Sequence, residues 1–325
     1  MKAQRLIVLV TVLLVGAIAA PTGAQVRLLA LVTGGTAGVY FPLGGAMAEI
    51  WNARVTGVRV AAQSSGASVA NIQALARGDA HLALVQNDVA YYAHNGREIF
   101  AEPGSNAPKP IAGLRGIAML YPETIQIVTL RGRRVATVDD LRGKRVVVGA
   151  AGSGTEANAR QILQVHDIYY REMRVDFLGF GAGIDQLRDG NVDAVFITAG
   201  VPTAAVTDIA SSRDAMIVPV SNEALEALRA RWPFYTRQII AANTYRGQPA
   251  PVATVAVMAM LAARADLPDE LVYNLTKALW ENLDRMKAAH ARGGDLSLTG
   301  ALAGMPLPVH AGAERYYRER GVSGR

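Results

Sequence analysis

Short apolar runs alternate with stretches of helical spacing along most of the chain. Val26 to Val32 is such a run, and Val39 to Trp51 follows with apolar residues three and four apart. Val58 to Ala62 and His81 to Val85 are further short runs, separated by the helical stretch Ser68 to Arg77. This alternation predicts a mostly parallel sheet covered by helices. The polar, Pro-containing stretch Glu102 to Pro110 predicts a surface loop. The same order then resumes, with strands at Arg145 to Val148, Arg174 to Leu178 and Asp193 to Thr198, and helices at Glu156 to Val165 and Ile184 to Arg188. Ile72 to Ala83 aligns without a gap on Ile184 to Val195, with Ile, Leu and Gly in register. Its physical content is a short helix closed by Gly78 or Gly190, each able to take the left-handed cap conformation, followed by a buried strand. Duplication of the halves and chance recurrence of a common helix-Gly-strand unit both produce such a match.

Between the halves, Leu114 to Leu120 and Ile125 to Leu130 are expected to be two strands meeting at Tyr121-Pro122-Glu123, the first crossing between lobes. Val252 to Leu261 is a further buried strand, and Asp269 to His290 reads as one long amphipathic helix opened by Pro268. If that last segment returns to the first lobe, lobe I comprises 25–122 and 251–325, and lobe II comprises 123–250. Two crossings make a hinge, and a hinge permits closure around a ligand.

Composition narrows the setting. Lys2 and Arg5, the apolar run Leu6 to Ala20 and the small residues after it form the three regions of a secretory signal. Ala17-Ile18-Ala19 and Thr22-Gly23-Ala24 both satisfy the small-residue cleavage rule, so residues 1–24 are expected to be removed and the mature chain to be periplasmic. The absence of Cys in 325 residues excludes disulfides and a lipid-modified amino-terminal Cys. The formal charge of +6 falls to +4 without Lys2 and Arg5, and the basic residues are scattered, which argues against nucleic acid as a partner.

Most enzyme chemistry lacks its residues, although Asp88 or Glu123 could act as a base in a secreted enzyme on the same scaffold. There is no Gly-x-Ser-x-Gly elbow and no Cys nucleophile, and His81, His94, His166, His290 and His310 fall at no metal-ligand spacing. Gly149 to Thr155 follows a strand as a phosphate loop does, yet it lacks the Lys, so no cofactor is expected. What remains is a set of Gly/Ser/Thr turns between strand and helix: Gly34 to Gly38, Ser64 to Ser68 and Gly152 to Thr155. The first N–H groups of a helix lack partners and its dipole is positive there, so an anion is favoured. Turns at the carboxyl ends of parallel strands line the crevice where open α/β sheets bind ligands. Each turn taken alone is equally well an ordinary N-cap. Taken together across two halves, they point to a carboxylate clamped between lobes. Tyr40, Tyr91 and Tyr121 are candidate walls, Gln86 and Asp88 offer an amide and a carboxylate at a strand end, and Thr198, Ala199 and Gly200 leave space at the equivalent edge.

Thr33-Gly-Gly-Thr-Ala-Gly-Val-Tyr-Phe-Pro-Leu-Gly45, Leu84-Val-Gln-Asn-Asp-Val-Ala-Tyr-Tyr92, Leu120-Tyr-Pro-Glu123, Val148-Gly-Ala-Ala-Gly-Ser-Gly-Thr155 and Gly312-Ala-Glu-Arg-Tyr-Tyr-Arg-Glu-Arg-Gly321 together resemble the TAXI family of extracytoplasmic solute receptors. The resemblance implies an α/β, type 2 periplasmic-binding-protein fold, with two lobes, a hinge and an interlobe cleft. It also implies capture of a small carboxylate such as a dicarboxylate, 2-oxoacid or glutamate, and delivery to the membrane subunits of a TRAP-type secondary transporter. Gly35, Thr36 and Tyr40 match the family's first ligand-facing turn, Ser65 and Gly66 the second, Gln86 and Asp88 the third strand's end, and Ser153, Gly154 and Thr155 the opposing turn. Thr198-Ala199-Gly200 departs from the family's apolar residue followed by two glycines, which bears on which ligand end fits there.

Overall fold

The computed structural model describes residues 26–105 and 107–323, so the expected export signal lies outside the described residues. The first half runs β1 (Arg27–Val32), α1 (Tyr40–Arg54), β2 (Val58–Gln63), α2 (Ser68–Arg77), β3 (Leu82–Gln86) and α3 (Asn87–Asn95). A long strand, β4 (Leu114–Leu130), leads to β5 (Arg145–Val147), α4 (Gly154–Val165), β6 (Arg174–Asp176), α5 (Phe180–Arg188) and β7 (Ala194–Ala199). Then come α6 (Ala204–Ser212), β8 (Ala215–Val218), α7 (Asn222–Arg231) and β9 (Thr236–Ile240). The chain ends with β10 (Val252–Arg264), α8 (Asp269–Trp280), α9 (Leu283–Ala289) and α10 (Ala311–Glu319).

The strands join in the order β2-β1-β3-β10-β4-β7-β5-β6, with β8 on β4 and β9 on β10. β1 lies parallel to β2 and β3, and β5 parallel to β6 and β7. Along β1, β3 and β10, alternate residues belong to two separate apolar clusters: Leu31, Leu84 and Leu261 to one, Val32, Val85 and Met260 to the other. Because successive strand side chains point to opposite faces, the sheet is buried on both, which is why β3 and β7 read as unbroken apolar runs.

β4 and β10 are the two strands shared by both lobes. β4 pairs with β10 over its first part and with β7 from Thr124 to Thr129. β10 pairs with β9 from Val252 to Ala256 and with β3 from Ala259 to Ala263. The expected break at Tyr121-Pro122-Glu123 is not there: β4 is one strand of 17 residues. Pro122 is tolerated because the ladder is already irregular opposite it. The register of β10 shifts between Met258 and Met260, and the Met258 N–H donates to Asn87 Oδ1 at 3.0 Å.

The expected helix Asp269 to His290 is also corrected. It stops at Trp280, and Asn282, at φ −133° and ψ 37°, separates it from α9. The Asn282 side chain donates back to the Ala278 carbonyl at 2.8 Å, satisfying an orphan acceptor at the break. α8 and α9 pack on α1, and Trp51 Nε1 donates to the Leu275 carbonyl at 2.8 Å. Gly78 and Gly190 both sit at φ +84°. Their N–H groups reach the Leu75 and Leu187 carbonyls at 3.1 and 3.2 Å, so the aligned segments close their helices in the same way.

Candidate functional site

Three turns of the first lobe and three of the second face one another across the hinge strands. The β2–α2 turn is fixed from beneath by Asn71, fully buried on α2, whose Nδ2 donates to the Thr33 and Leu84 carbonyls at 2.5 and 2.7 Å. Asn71 Oδ1 in turn accepts from Ser65 Oγ at 2.6 Å. One side chain thus holds the ends of β1 and β3 and the turn before α2 in register. In the second lobe, Ser153 caps α4, its Oγ accepting from the Glu156 N–H at 3.1 Å. The lobes touch through backbone: the Ala70 N–H donates to the Gly152 carbonyl at 3.1 Å and the Ala205 N–H to the Ala37 carbonyl at 3.3 Å.

Two adjoining cavities lie between them. The outer one, about 290 Å³, is walled by Gly35, Thr36, Ser65 and Gly66 from lobe I and by Ser153, Thr155, Gly179 and Phe180 from lobe II. Ala67 before α2, Ser153 and Thr155 at the start of α4 and Gly179 to Ala182 at the start of α5 border it, so the positive dipole ends of three helices converge there, with the Ala70 and Glu156 N–H groups already taken by Gly152 and Ser153. The inner one, about 40 Å³, is walled by Tyr40, Ser68, Gln86 and Glu123 on one side and by Gly154, Thr155, Thr198 and Ala199 on the other. Gly35, Ala67, Thr155 and Phe180 border both. Among the described residues lining the two cavities there is no Lys, Arg or His.

The inner cavity is rich in acceptors. Glu123 is 3 % exposed, and its Oε2 accepts from the Tyr40 hydroxyl at 2.7 Å. Burial, with the nearby Asp88 carboxyl adding to it, pushes Glu123 up to about 8, so it holds a proton at neutral pH. Burial and the Glu123 charge likewise push the Tyr40 phenol far above its ordinary range. Gln86 Oε1 and Thr198 Oγ1 are buried with no hydrogen-bond partner. Gly154 is required where it is, because a Cβ there would collide with the Gln86 amide.

Of the residues singled out from sequence, Thr36, Ser65, Gly66 and Ser153 border the outer cavity, Tyr40, Gln86, Gly154 and Ala199 the inner, and Gly35 and Thr155 both. Asp88, Tyr121 and Gly200 border neither. Asp88 is fully buried, its Oδ2 accepting from Asn158 Nδ2 at 2.9 Å, and burial pushes it up to about 6. It belongs to a polar chain between lobes: Asn158 also donates to the Tyr235 hydroxyl at 3.0 Å, Tyr235 donates to Gln161, and Gln161 donates to Tyr92. Tyr121 is fully buried, and Gly200 packs against it and Arg292. Tyr91, the third candidate wall, packs on Phe234 with ring centroids 5.0 Å apart and borders neither cavity.

Ser68 and Thr198 stood in the sequence only as members of a candidate turn and strand edge, Glu123 only within a motif and as a possible base, and Phe180 was not among the candidates. Phe180 had a signal, an aromatic residue between Gly179 and Gly181 at a fourth strand-to-helix turn. Its ring lies 3.3 Å from where a Cβ on Gly38 would stand, so it reaches across to the other lobe. Among the described residues no group of three or more His, Cys, Asp or Glu is placed to hold a metal ion, and no helix is long and apolar enough to cross a membrane.

Solved structures share this architecture. A protein from Bordetella bronchiseptica RB50 is 18 % identical with a TM-score of 0.55, covering 91 % of this chain and 83 % of its own. PhnD1 from Prochlorococcus marinus, in complex with methylphosphonate, is 11 % identical with a TM-score of 0.55, covering 83 % and 91 %. The alkanesulfonate-binding protein SsuA from Xanthomonas axonopodis pv. citri, bound to MOPS, is 13 % identical with a TM-score of 0.50, covering 90 % and 84 %. The fold is therefore the mixed α/β, two-lobed fold of periplasmic binding proteins. The NMT1-like family matches residues 31–321, nearly the whole of the described structure, and the chain belongs to that family.

Proposed function

We propose that the protein is an exported, periplasmic solute receptor that captures a small carboxylate between its lobes and hands it to a TRAP-type secondary transporter, as the TAXI-like motifs imply. Lobe I would comprise residues 25–122 and 251–325, and lobe II residues 123–250. The observation that carries this reading is the convergence of the α2, α4 and α5 starts on one cavity bordered by hydroxyls and glycines. Such a site holds an anion through N–H groups and dipoles, without a charged side chain. The inner cavity, at about 40 Å³, is too small to admit a solute by itself, so entry requires the lobes to part at β4 and β10. Closure then brings Ser153 and Thr155 onto an anion already seated against Gly35, Ser65 and Gly66. The alkanesulfonate-binding protein SsuA is bound to MOPS and PhnD1 is in complex with methylphosphonate, which makes sulfonates and phosphonates the natural competitors in a screen.

Only solutes that bind the folded state raise its unfolding temperature, and at about 100 times Kd the stabilisation is about 2.7 kcal/mol. A thermal-shift screen of dicarboxylates, 2-oxoacids, amino acids, sulfonates and phosphonates on protein refolded free of carried-over solute tests the reading. A carboxylate is expected to raise the melting temperature by several degrees. A response confined to sulfonates or phosphonates, or none at all, overturns it.

A further inference from the structure

The inner cavity differs in kind from the outer one. Its walls carry the Glu123 carboxyl, the unpartnered Gln86 Oε1 and the unpartnered Thr198 Oγ1, with Gln86 and Thr198 2 % and 4 % exposed. Buried acceptors left unpaired are costly, and these two, sharing one small space with the Glu123 carboxyl, are matched by a ligand that donates. The groups facing Glu123 are Tyr40 from α1, Asp88 from α3, Gln86 from β3 and Tyr121 from its own strand, and none is a cation. Arg292, whose charge reaches Tyr121, is paired with Asp295 at 2.7 Å. A second carboxylate placed here meets the buried Glu123 acid, with Asp88 behind it, and no counter-charge. At about 40 Å³ the space matches one ammonium-sized group and is small for a carboxylate with its methylene.

We infer that Glu123 is the specificity-determining residue that reads an ammonium group on the solute, and that it gives up its proton as it does so. This rests on the carboxylate-receptor reading, with the solute's carboxylate in the outer cavity and its amine pointing inward. The balance is simple: the Glu123 carboxylic acid and the incoming ammonium become a carboxylate–ammonium pair, and one proton passes to the buffer. Gln86 Oε1 and Thr198 Oγ1 accept the remaining ammonium hydrogens. Removing Glu123 from the acid form is possible only because the cation arrives with the ligand, so binding and proton release are linked.

Isothermal titration calorimetry at pH 7 tests this with matched probes: glycine with acetate, L-alanine with propionate, and L-glutamate with glutarate. Each is run in bis-tris and in Tris, cationic buffers whose ionisation enthalpies differ and which do not compete for the anion site. At least one amine is expected to bind tenfold or more tightly than its deamino partner, with a buffer dependence reporting release of close to one proton. Glu123→Gln, which keeps an acceptor for Tyr40, is expected to collapse the amine-to-deamino ratio and abolish the release. The wild-type buffer dependence stands as a readout even if that variant fails to fold. Carboxylates binding with no preference for the amine, or amines binding without proton release, overturn the inference and leave the receptor reading intact. No binding by either member of any pair, with an unmoved melting curve across the wider screen, overturns both.

Discussion

Gly154→Ala places a methyl group at the first residue of α4, where the structure has the Gln86 side chain of the opposite lobe against the glycine Cα. Gly154 is not among the positive-φ residues, so alanine fits its backbone and the cost is steric alone. Gln86 cannot swing aside freely, because it is 2 % exposed at the end of a strand buried along its length. Overpacking at such a contact costs about 1–3 kcal/mol. The cost falls on the closed arrangement only, since with the lobes apart the methyl group meets no Gln86. Bound solute requires closure, so its dissociation constant should rise by roughly 5- to 150-fold. Calorimetric titration of the best carboxylate from the screen measures this, with Gly45→Ala as control, where a Cβ meets nothing within 4 Å. An affinity within twofold of wild type for Gly154→Ala would refute the idea that this glycine is a closure contact.

Other consequences follow from the same geometry. Thr155→Val removes the one hydroxyl-bearing side chain that borders both cavities and should weaken carboxylate binding by about 1–3 kcal/mol; an unchanged titration curve would contradict its assignment. Tyr235→Phe removes the link between Asn158 and Gln161 and should lower the melting temperature by a few degrees, about 1–3 kcal/mol, whereas a neutral effect would show that this polar chain does not hold the lobes. The pH dependence has a definite sign. Asp88 and Glu123 titrate at about 6 and about 8 in the folded protein, above their ordinary 3.8 and 4.5, so the folded state binds more protons than the unfolded state between those limits. Burial holds His81, His290 and His310 below their ordinary 6.5, which acts in the opposite direction at lower pH, so the Glu123 effect is isolated between pH 6.5 and 8, where stability should fall as pH rises and Glu123→Gln should flatten the slope. Denaturant melts at pH 6.5 and pH 8 check it, and equal slopes for wild type and Glu123→Gln would contradict it.

Much of the architecture was legible because it rests on local rules. The apolar runs of β1, β2, β3, β5 and β7 mark strands, those of β3 and β7 buried on both faces, and Ser68 to Arg77 has the same limits in sequence pattern and structure. The breaks were less legible, since they depend on partners distant in sequence. Pro122 argued for a chain break, yet the irregular register of β10 opposite it lets β4 continue. Asn282 ends α8 through a hydrogen bond that no periodicity displays. At the site, strand-to-helix turns pointed to the outer cavity because Gly, Ser and Thr announce their backbone geometry. The inner cavity was hidden. Glu123 acquires its character from Tyr40 and Asp88, 83 and 35 positions away in the chain, and from burial that only the assembled lobes provide. Asp88 read as a ligand group because it follows Gln86, but the start of α3 turns it towards Asn158.

A crystal structure of the protein with its preferred carboxylate tests the account most directly. The carboxylate should lie among the helix starts, within hydrogen-bonding reach of the Gly66 and Thr155 N–H groups, with lobes closed over it as Gly152 meets Ala70. A solute seated elsewhere, such as the groove of about 850 Å³ between Leu302 and Ser323, with the helix starts untouched, would contradict the central claim.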